Sequence, residues 1–300
     1  MIIETLLSKR DQLPIELAII EPEGEAIGII QLIHGMSEHK ERYYDFMDYL
    51  SQHGYICAIH DHRGHGASVK DTSHLGYFYT NDITYIVDDA YLVTEYLENR
   101  YPTLNISIFS HSMGTLVSRN YLKKYDTHIE KIVLCGPPTE NKLIDVALLA
   151  GKITGLFYND YKSNRILNKL SVGYYNKGYK TENEWICSNL QTVFEYNADP
   201  LCGFTFTTSG FMNLFQLLKS AFIKEDWNPQ NSSLPIFLIA GVDDPVIQGK
   251  QKFNELEEFL KEIGYENIKS KLYKDKRHEL LNETNKEIVY KDVLDFFYTN

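Results

Sequence analysis

A short apolar run, Ile106-Ser107-Ile108-Phe109, breaks at Ser110-His111-Ser112-Met113-Gly114 and passes into Thr115-Leu116-Val117-Ser118-Arg119-Asn120-Tyr121-Leu122, which reads as a helix. A strand that turns directly into a helix, with a serine at the tip, leaves a chain few ways to fold. The turn lifts one hydroxyl off the edge of a sheet and aims a helix N-terminus at whatever that hydroxyl meets. Ser112 is therefore a candidate nucleophile. The first position of the turn is Ser110, where the pattern calls for glycine. Alone, the stretch does not decide whether the serine reacts.

The surrounding text repeats the alternation. Residues 2–8 and 15–20 read as a hairpin, and 26–33 is a nearly unbroken apolar run ending in His34-Gly35-Met36. Such runs suit strands buried on both faces of a parallel sheet. A helix is expected over 43–52, with Phe46, Met47 and Leu50 on its apolar side and Gly54 as its stop. Strands then follow at 55–59, 106–109 and 131–135, with helices at 83–99 and from the serine turn to about 125. Between 137 and 234 the rhythm gives way to irregular, helical, aromatic-rich text. It resumes with strands at 235–240 and 268–273, a helix over 250–263 and a last helix from about 280 to 297. The fold class is α/β, a mostly parallel central sheet flanked by helices. Residues 1–137 and 235–300 form the expected core, and 138–234 an inserted helical cap over the strand C-termini.

The 30 Lys and Arg residues against 41 Asp and Glu give a net charge of −11. That argues against a nucleic-acid partner and against electrostatic docking of the chain as a whole on anionic lipid. A transient lipid or micelle contact through an apolar patch of the cap stays open. Cys57, Cys135, Cys187 and Cys202 show no metal-type spacing, and the first residues lack the basic and apolar regions of a signal peptide. No apolar run approaches the roughly 20 residues of a membrane span. A cytoplasmic, reducing location is the expectation.

A serine hydroxyl needs a base, and the base needs an orienting acid; in this strand–turn–helix context they follow in the order Ser, Asp or Glu, His. Only His128 and His278 come after Ser112. His128 has no usable loop acid between it and the serine. His278 follows the last strand, at the sheet edge that carries the serine turn, and is the candidate base. The preceding strand ends in Gly241-Val242-Asp243-Asp244-Pro245, where two aspartates compete for the acid's place. An oxyanion hole would draw one N–H from Met113 and a second from Met36 in the His34-Gly35-Met36 loop; losing one such donor typically costs about 3 kcal/mol in the transition state. His60, His62 and His65 sit at the spacing of an HxHxDH metal motif, but Gly64 occupies its aspartate position, so a structural turn is the better reading. Neither metal nor organic cofactor is called for. Glu38 and Arg42 open the first helix, where an acid complements the helix dipole, so a structural role is the default.

Together HGMSEHKERY (34–43), DHRGHGAS (61–68), SHSMG (110–114), GVDDPV (241–246) and RHELLNE (277–283) resemble the monoglyceride lipase and lysophospholipase branch of the α/β-hydrolase family. The resemblance spans almost the whole chain. It implies an α/β-hydrolase fold with Ser112 as nucleophile, Asp244 as acid, His278 as base, and Met36 and Met113 as oxyanion donors, leaving Asp243 to brace its loop. It also implies a small acyl ester as substrate: a monoacylglycerol, a lysophospholipid or a related carboxylic ester. Related caps serve aminopeptidases, whose acidic groups hold a free amine, and Glu182, Glu184, Glu195 and Asp199 are available here. A third reading, a hydrolase fold kept only for binding, predicts a lost triad member, and none is lost.

Overall fold

Strands with no polar face are satisfied only inside a sheet covered on both sides. That is where they lie in the computed structural model, which describes residues 1–299. Eight strands form one sheet: β1 (Ile2–Leu7), β2 (Pro14–Ile20), β3 (Gly28–Ile33), β4 (Tyr55–His60), β5 (Ile106–His111), β6 (Ile132–Cys135), β7 (Ile236–Gly241) and β8 (Ile268–Tyr273). Their order is β1-β2-β4-β3-β5-β6-β7-β8, antiparallel for the first two pairs and parallel from β4 onward. Every residue of β3 to β7 is buried, whereas β8 exposes Lys269, Ser270 and Lys271, the kind of charged edge that resists further pairing.

Alternation sends neighbouring side chains to opposite layers. Ile30, Leu32, Phe109, Val133 and Ile239 meet helices α1 (Tyr44–Ser51) and α9 (Glu287–Tyr298). Ile29, Ile33, Ile108, Leu134 and Leu238 meet α2 (Thr84–Arg100), α3 (Met113–Tyr125) and a later helix, α8 (Lys250–Glu262). Gln31 is the polar member of this layer, and its amide is matched by Ala90 O and Thr94 Oγ1 at 2.9 and 2.7 Å.

Between β6 and β7 run α4 (Ile144–Gly155), α5 (Arg165–Leu170), α6 (Leu190–Ala198) and α7 (Thr208–Ala221), with no strand of the sheet among them. The last of these is rooted in the main core, where Phe211, Leu217 and Ala221 join the cluster of α3 and Asn120 Nδ2 donates to Leu217 O (3.0 Å). Trp185, Ile186, Val193 and Tyr196 build a smaller cluster that closes on Val246.

One boundary differs from expectation. The final helix begins at Glu287 rather than near 280, because Leu280–Asn282 is a single tight turn and Asn285 takes a left-handed φ of 59°. The interval is held by Glu283, whose carboxylate accepts from the Ser188 and Arg277 N–H groups at 3.0 and 2.7 Å. Side-chain bonds of this kind compete with helix continuation.

Candidate active site

Ser112 sits between β5 and α3 with φ 51° and ψ −120°. A non-glycine residue held there is strained, and the strain is sustained by its surroundings: Ser112 N–H donates to Cys135 O and its carbonyl accepts from Thr115 N–H, both at 2.9 Å. A methyl group at Gly114 would meet Ile33 O at 2.2 Å, so α3 approaches β3 as closely as only glycine permits. At Ser110 the larger residue is accommodated. Its fully buried hydroxyl donates to Val133 O at 3.1 Å, and the turn keeps its shape.

The C-terminal ends of β5, β7 and β8 deliver three side chains to one edge. His278 Nε2 lies 2.8 Å from Ser112 Oγ, and Nδ1 lies 2.9 Å from Asp244 Oδ2. The second Asp244 oxygen accepts from Val246 N–H at 2.8 Å, which orients the carboxylate. Asp244 and His278 are buried and Ser112 is partly exposed. Asp243 points to solvent, with its backbone N–H bound to Lys276 O. Trp185 from the segment before α6 covers the imidazole, ring centroids 5.3 Å apart.

The loop after β3 lies against the serine turn: a methyl group at Gly35 would come within 3.1 Å of Ser112 Cβ. Among the described residues, neither the Met36 nor the Met113 N–H meets a backbone or side-chain acceptor. A group of neutral histidines shapes this loop. His34 Nδ1–H donates to Gly35 O (2.8 Å) while its Nε2 accepts from His62 N–H (3.0 Å). His62 Nε2–H donates to His34 O (3.1 Å), and His65 Nε2 accepts from Ser37 N–H (3.3 Å). The lone pairs of His34 Nε2 and His65 Nε2 thus face backbone donors, as a structural turn requires. Burial is the main cause that pushes His34 and His60 well below the ordinary imidazole pKa, His62 down to about 4 and His65 to about 3.

This lowering makes the fold sensitive to acid. As pH falls below 6.5 the unfolded chain takes up protons that these four rings refuse in the fold. Stability is therefore intact above that value and declines below it, until pH about 4 for His62 and about 3 for His65. The slope approaches ~1.4 kcal/mol per pH unit for each ring. Urea titrations at pH 7.5 and pH 5 should show the midpoint dropping at the lower pH; equal midpoints would mean that the rings charge within the fold.

Glu38 differs from expectation. It lies ahead of α1, separated from it by a tight turn, and is an almost fully buried acceptor rather than a partner of the dipole. Its carboxylate accepts from Gly35 N–H (2.5 Å), Tyr43 OH (2.8 Å) and Arg42 Nη1 (2.7 Å), and His111 Nδ1 lies 3.2 Å away. Burial alone would raise its pKa, but His111 and Arg42 hold it well below the carboxylate range. His111 Nε2 faces the carbonyl of His278 at 3.3 Å, so both ring nitrogens point at acceptors. Burial pushes its pKa down, and Glu38 outweighs this and raises it. Arg42 then grips Glu279, the residue after His278, through two bonds of 2.7 and 2.6 Å. The loop after β3, the serine turn and the His278 loop are thereby joined behind Ser112. Sequence reasoning missed His111, Glu279 and Trp185. Adjacency to Ser112 and His278 was the available signal for the first two.

Comparison with known proteins agrees with this architecture. The family described as "Serine aminopeptidase, S33" matches residues 24–285. The chain is similar to the monoacylglycerol lipase of Mycolicibacterium smegmatis, 23% identical over 93% of this chain and 91% of that protein. Among solved structures it resembles a thermostable carboxyl esterase from Bacillus coagulans, with a TM-score of 0.87 and 24% identity over 98% of this chain and 97% of the other. It also resembles a soluble variant of the monoglyceride lipase from Saccharomyces cerevisiae, with a TM-score of 0.75 and 18% identity over 99% and 96% of the two chains. With a family match over most of its length and this fold, the chain belongs to the serine aminopeptidase S33 family of α/β-hydrolases.

Proposed function

We propose that this chain hydrolyses single-chain acyl esters, monoacylglycerols foremost and lysophospholipids next, through an acyl-enzyme on Ser112. The coarser activity, carboxylic ester hydrolysis on an α/β-hydrolase fold, accords with its monoacylglycerol lipase relative. The observation that supports the acyl-enzyme mechanism is the pair of contacts made by His278, 2.8 Å to Ser112 Oγ and 2.9 Å to Asp244 Oδ2.

His278 Nε2 takes the Ser112 proton as Oγ attacks the ester carbonyl, and Asp244 holds the imidazole tautomer and stabilises its cation. The carbonyl oxygen gains charge between the Met36 and Met113 N–H groups. His278 returns the proton to the leaving alcohol, which departs as the carbonyl reforms on Ser112. Water then gives its proton to His278, attacks the acyl carbon and releases the fatty acid, and Ser112 recovers its proton. Residues 138–234 act as the cap in this reading. They are tied to the site by Ser37 Oγ to Phe204 O (2.8 Å), Glu279 N–H to Ile186 O (2.7 Å) and Arg277 Nη1 to Glu184 O (2.6 Å).

Peptide cleavage is disfavoured by where the cap acids point. Asp199 pairs with His39 at 2.8 Å, Glu184 accepts from Thr181 N–H at 3.1 Å, Glu195 pairs with Gln191 at 2.8 Å, and Glu182 is exposed. An assay of monoacylglycerol, lysophosphatidylcholine and an aminoacyl-naphthylamide side by side tests the substrate class. The expected kcat/KM for monoacylglycerol exceeds that for the naphthylamide by at least about a hundredfold, about the discrimination that leaving a substrate's charged amine unpaired produces. A preference for the naphthylamide would replace this reading with the aminopeptidase one.

A further inference from the structure

Away from the triad, the fold gathers one imidazole, one carboxylate and one thiol that no motif spacing announces. His39 lies in the loop between β3 and α1, Asp199 ends α6, and Cys202 follows in the turn beyond it. His39 and Cys202 are 5% and 8% exposed, and Asp199 is partly exposed. His39 Nε2 meets Asp199 Oδ2 at 2.8 Å, across 160 positions of sequence. Cys202 N–H donates to Asp199 O (3.0 Å), and its thiol lies beside the Asp199 carboxylate. One donor atom from each of the three lies within 4.8 Å of the other two, the only such group of His, Cys, Asp or Glu donors among the described residues.

An ion pair accounts for His39 and Asp199, but not for a thiol set against the same carboxylate. Burial is the main cause that pushes the Cys202 thiol up, and the Asp199 charge adds to it. A divalent cation reverses that preference, since a coordinating thiol is deprotonated outright. Calcium and magnesium take oxygen ligands, whereas imidazole and thiolate together suit zinc. Tetrahedral zinc, with bonds of about 2.0–2.3 Å, sets its donors roughly 3.3–3.6 Å apart, so these three atoms need shifts of little more than about an ångström. The Asp199 carboxylate is steadied from behind, because its other oxygen accepts from Leu201 N–H at 2.8 Å. Asp199 also lines a cleft of about 590 Å³ together with Glu41, Asp45, Glu195 and Glu287. Of the cations on that cleft, Arg42 is neutralised by Glu38 and Glu279, and Lys286 by Asp45. The cleft therefore draws a cation toward the three donors.

We propose that His39, Asp199 and Cys202 form a zinc site, with His39 Nε2, one Asp199 oxygen and the Cys202 sulfur as ligands and a water from the cleft in the fourth position. The metal takes the place of the proton between His39 and Asp199. The imidazole coordinates through Nε2 with its proton on Nδ1, and the thiol proton passes to solvent. The ion joins the loop that carries Met36 to the chain after α6. These segments already meet at Ser37, whose carbonyl accepts from Tyr196 OH and Gly203 N–H, both at 2.9 Å. Bound zinc thus clamps two distant parts of the chain and stabilises the fold. It takes no part in ester chemistry, so the proposal stands apart from the esterase reading.

Titration of the chelator-treated, intact protein with cobalt(II), a zinc surrogate with a visible spectrum, tests the proposal. The expected result is a sulfur-to-metal charge-transfer band with the intense visible bands of a tetrahedral ion, all of them removed by added zinc. Zinc should bind with a Kd of about 1 μM or tighter. At about a hundredfold excess over Kd it should raise the melting temperature by at least about 3 °C. Cys202→Ser should abolish the charge-transfer band. Both Cys202→Ser and His39→Gln should weaken zinc binding by more than the roughly hundredfold that loss of a partner one step removed from a metal costs. His278→Ala and Ser112→Ala should bind zinc like the parent, so loss of metal binding and loss of hydrolysis are separate results. Circular dichroism reports whether the variants fold. Should one misfold, the cobalt spectrum of the unmodified protein still reports thiolate ligation, since no other cysteine among the described residues stands in such a group. Absence of the charge-transfer band, its survival in Cys202→Ser, or loss of zinc binding in His278→Ala overturns the proposal.

Discussion

Ser112→Ala lowers kcat on a monoacylglycerol or on p-nitrophenyl butyrate by roughly a million-fold, the loss typical when the nucleophile of such a triad is removed. In the proposed mechanism this hydroxyl forms the acyl bond; His278 Nε2 is 2.8 Å from it and from no other alcohol among the described hydrogen bonds. His278→Ala costs a similar factor, and the double variant costs little more than either alone, since the two act as one unit. A fluorophosphonate probe should label the parent at Ser112 and leave Ser112→Ala unlabelled. The turn is tied by backbone bonds that the substitution leaves in place, so the variant should melt within a few degrees of the parent. Substantial ester turnover by folded Ser112→Ala would remove the acyl-enzyme mechanism altogether.

The second large effect separates two neighbouring acids. Asp244→Asn lowers kcat by about 10⁴ with little change in KM, because an amide beside Nδ1 leaves the imidazole in the wrong tautomer and gives its cation no counter-charge. Asp243→Asn changes kcat less than about twofold, since that side chain is exposed to solvent. Asn at position 244 keeps an oxygen for Val246 N–H, so a fall in kcat without a matching fall in melting temperature reports chemistry rather than collapse of the loop. Equal effects at both positions would show that the loop, not one carboxylate, carries the activity.

Several elements were legible because burial is periodic. The nearly unbroken apolar runs over β3 and β7 correspond to strands sealed on both faces, and the alternating text between them to crossover helices. The last helix was misplaced at its start because Leu280 and Leu281 are buried without belonging to it. An apolar pair reports burial, not the conformation that achieves it. Glu38 was read as a partner of a helix dipole, since nothing in the local text announces that His111 arrives from β5 and that Gly35, Arg42 and Tyr43 all turn onto the same carboxylate.

By itself, the sequence determined the parallel α/β sheet, the serine at a strand–helix turn and a histidine as its one eligible partner. Strand burial, turn composition and chain order are all local or linear properties. Only the tertiary structure decided that Asp244 and not Asp243 meets His278, and that Ser110 fits the turn by donating to Val133 O. It alone also showed Glu38, His111, Arg42 and Glu279 locked together behind the serine. Those contacts join residues separated by up to 237 positions, and their energies depend on direction and desolvation that no spacing along the chain encodes.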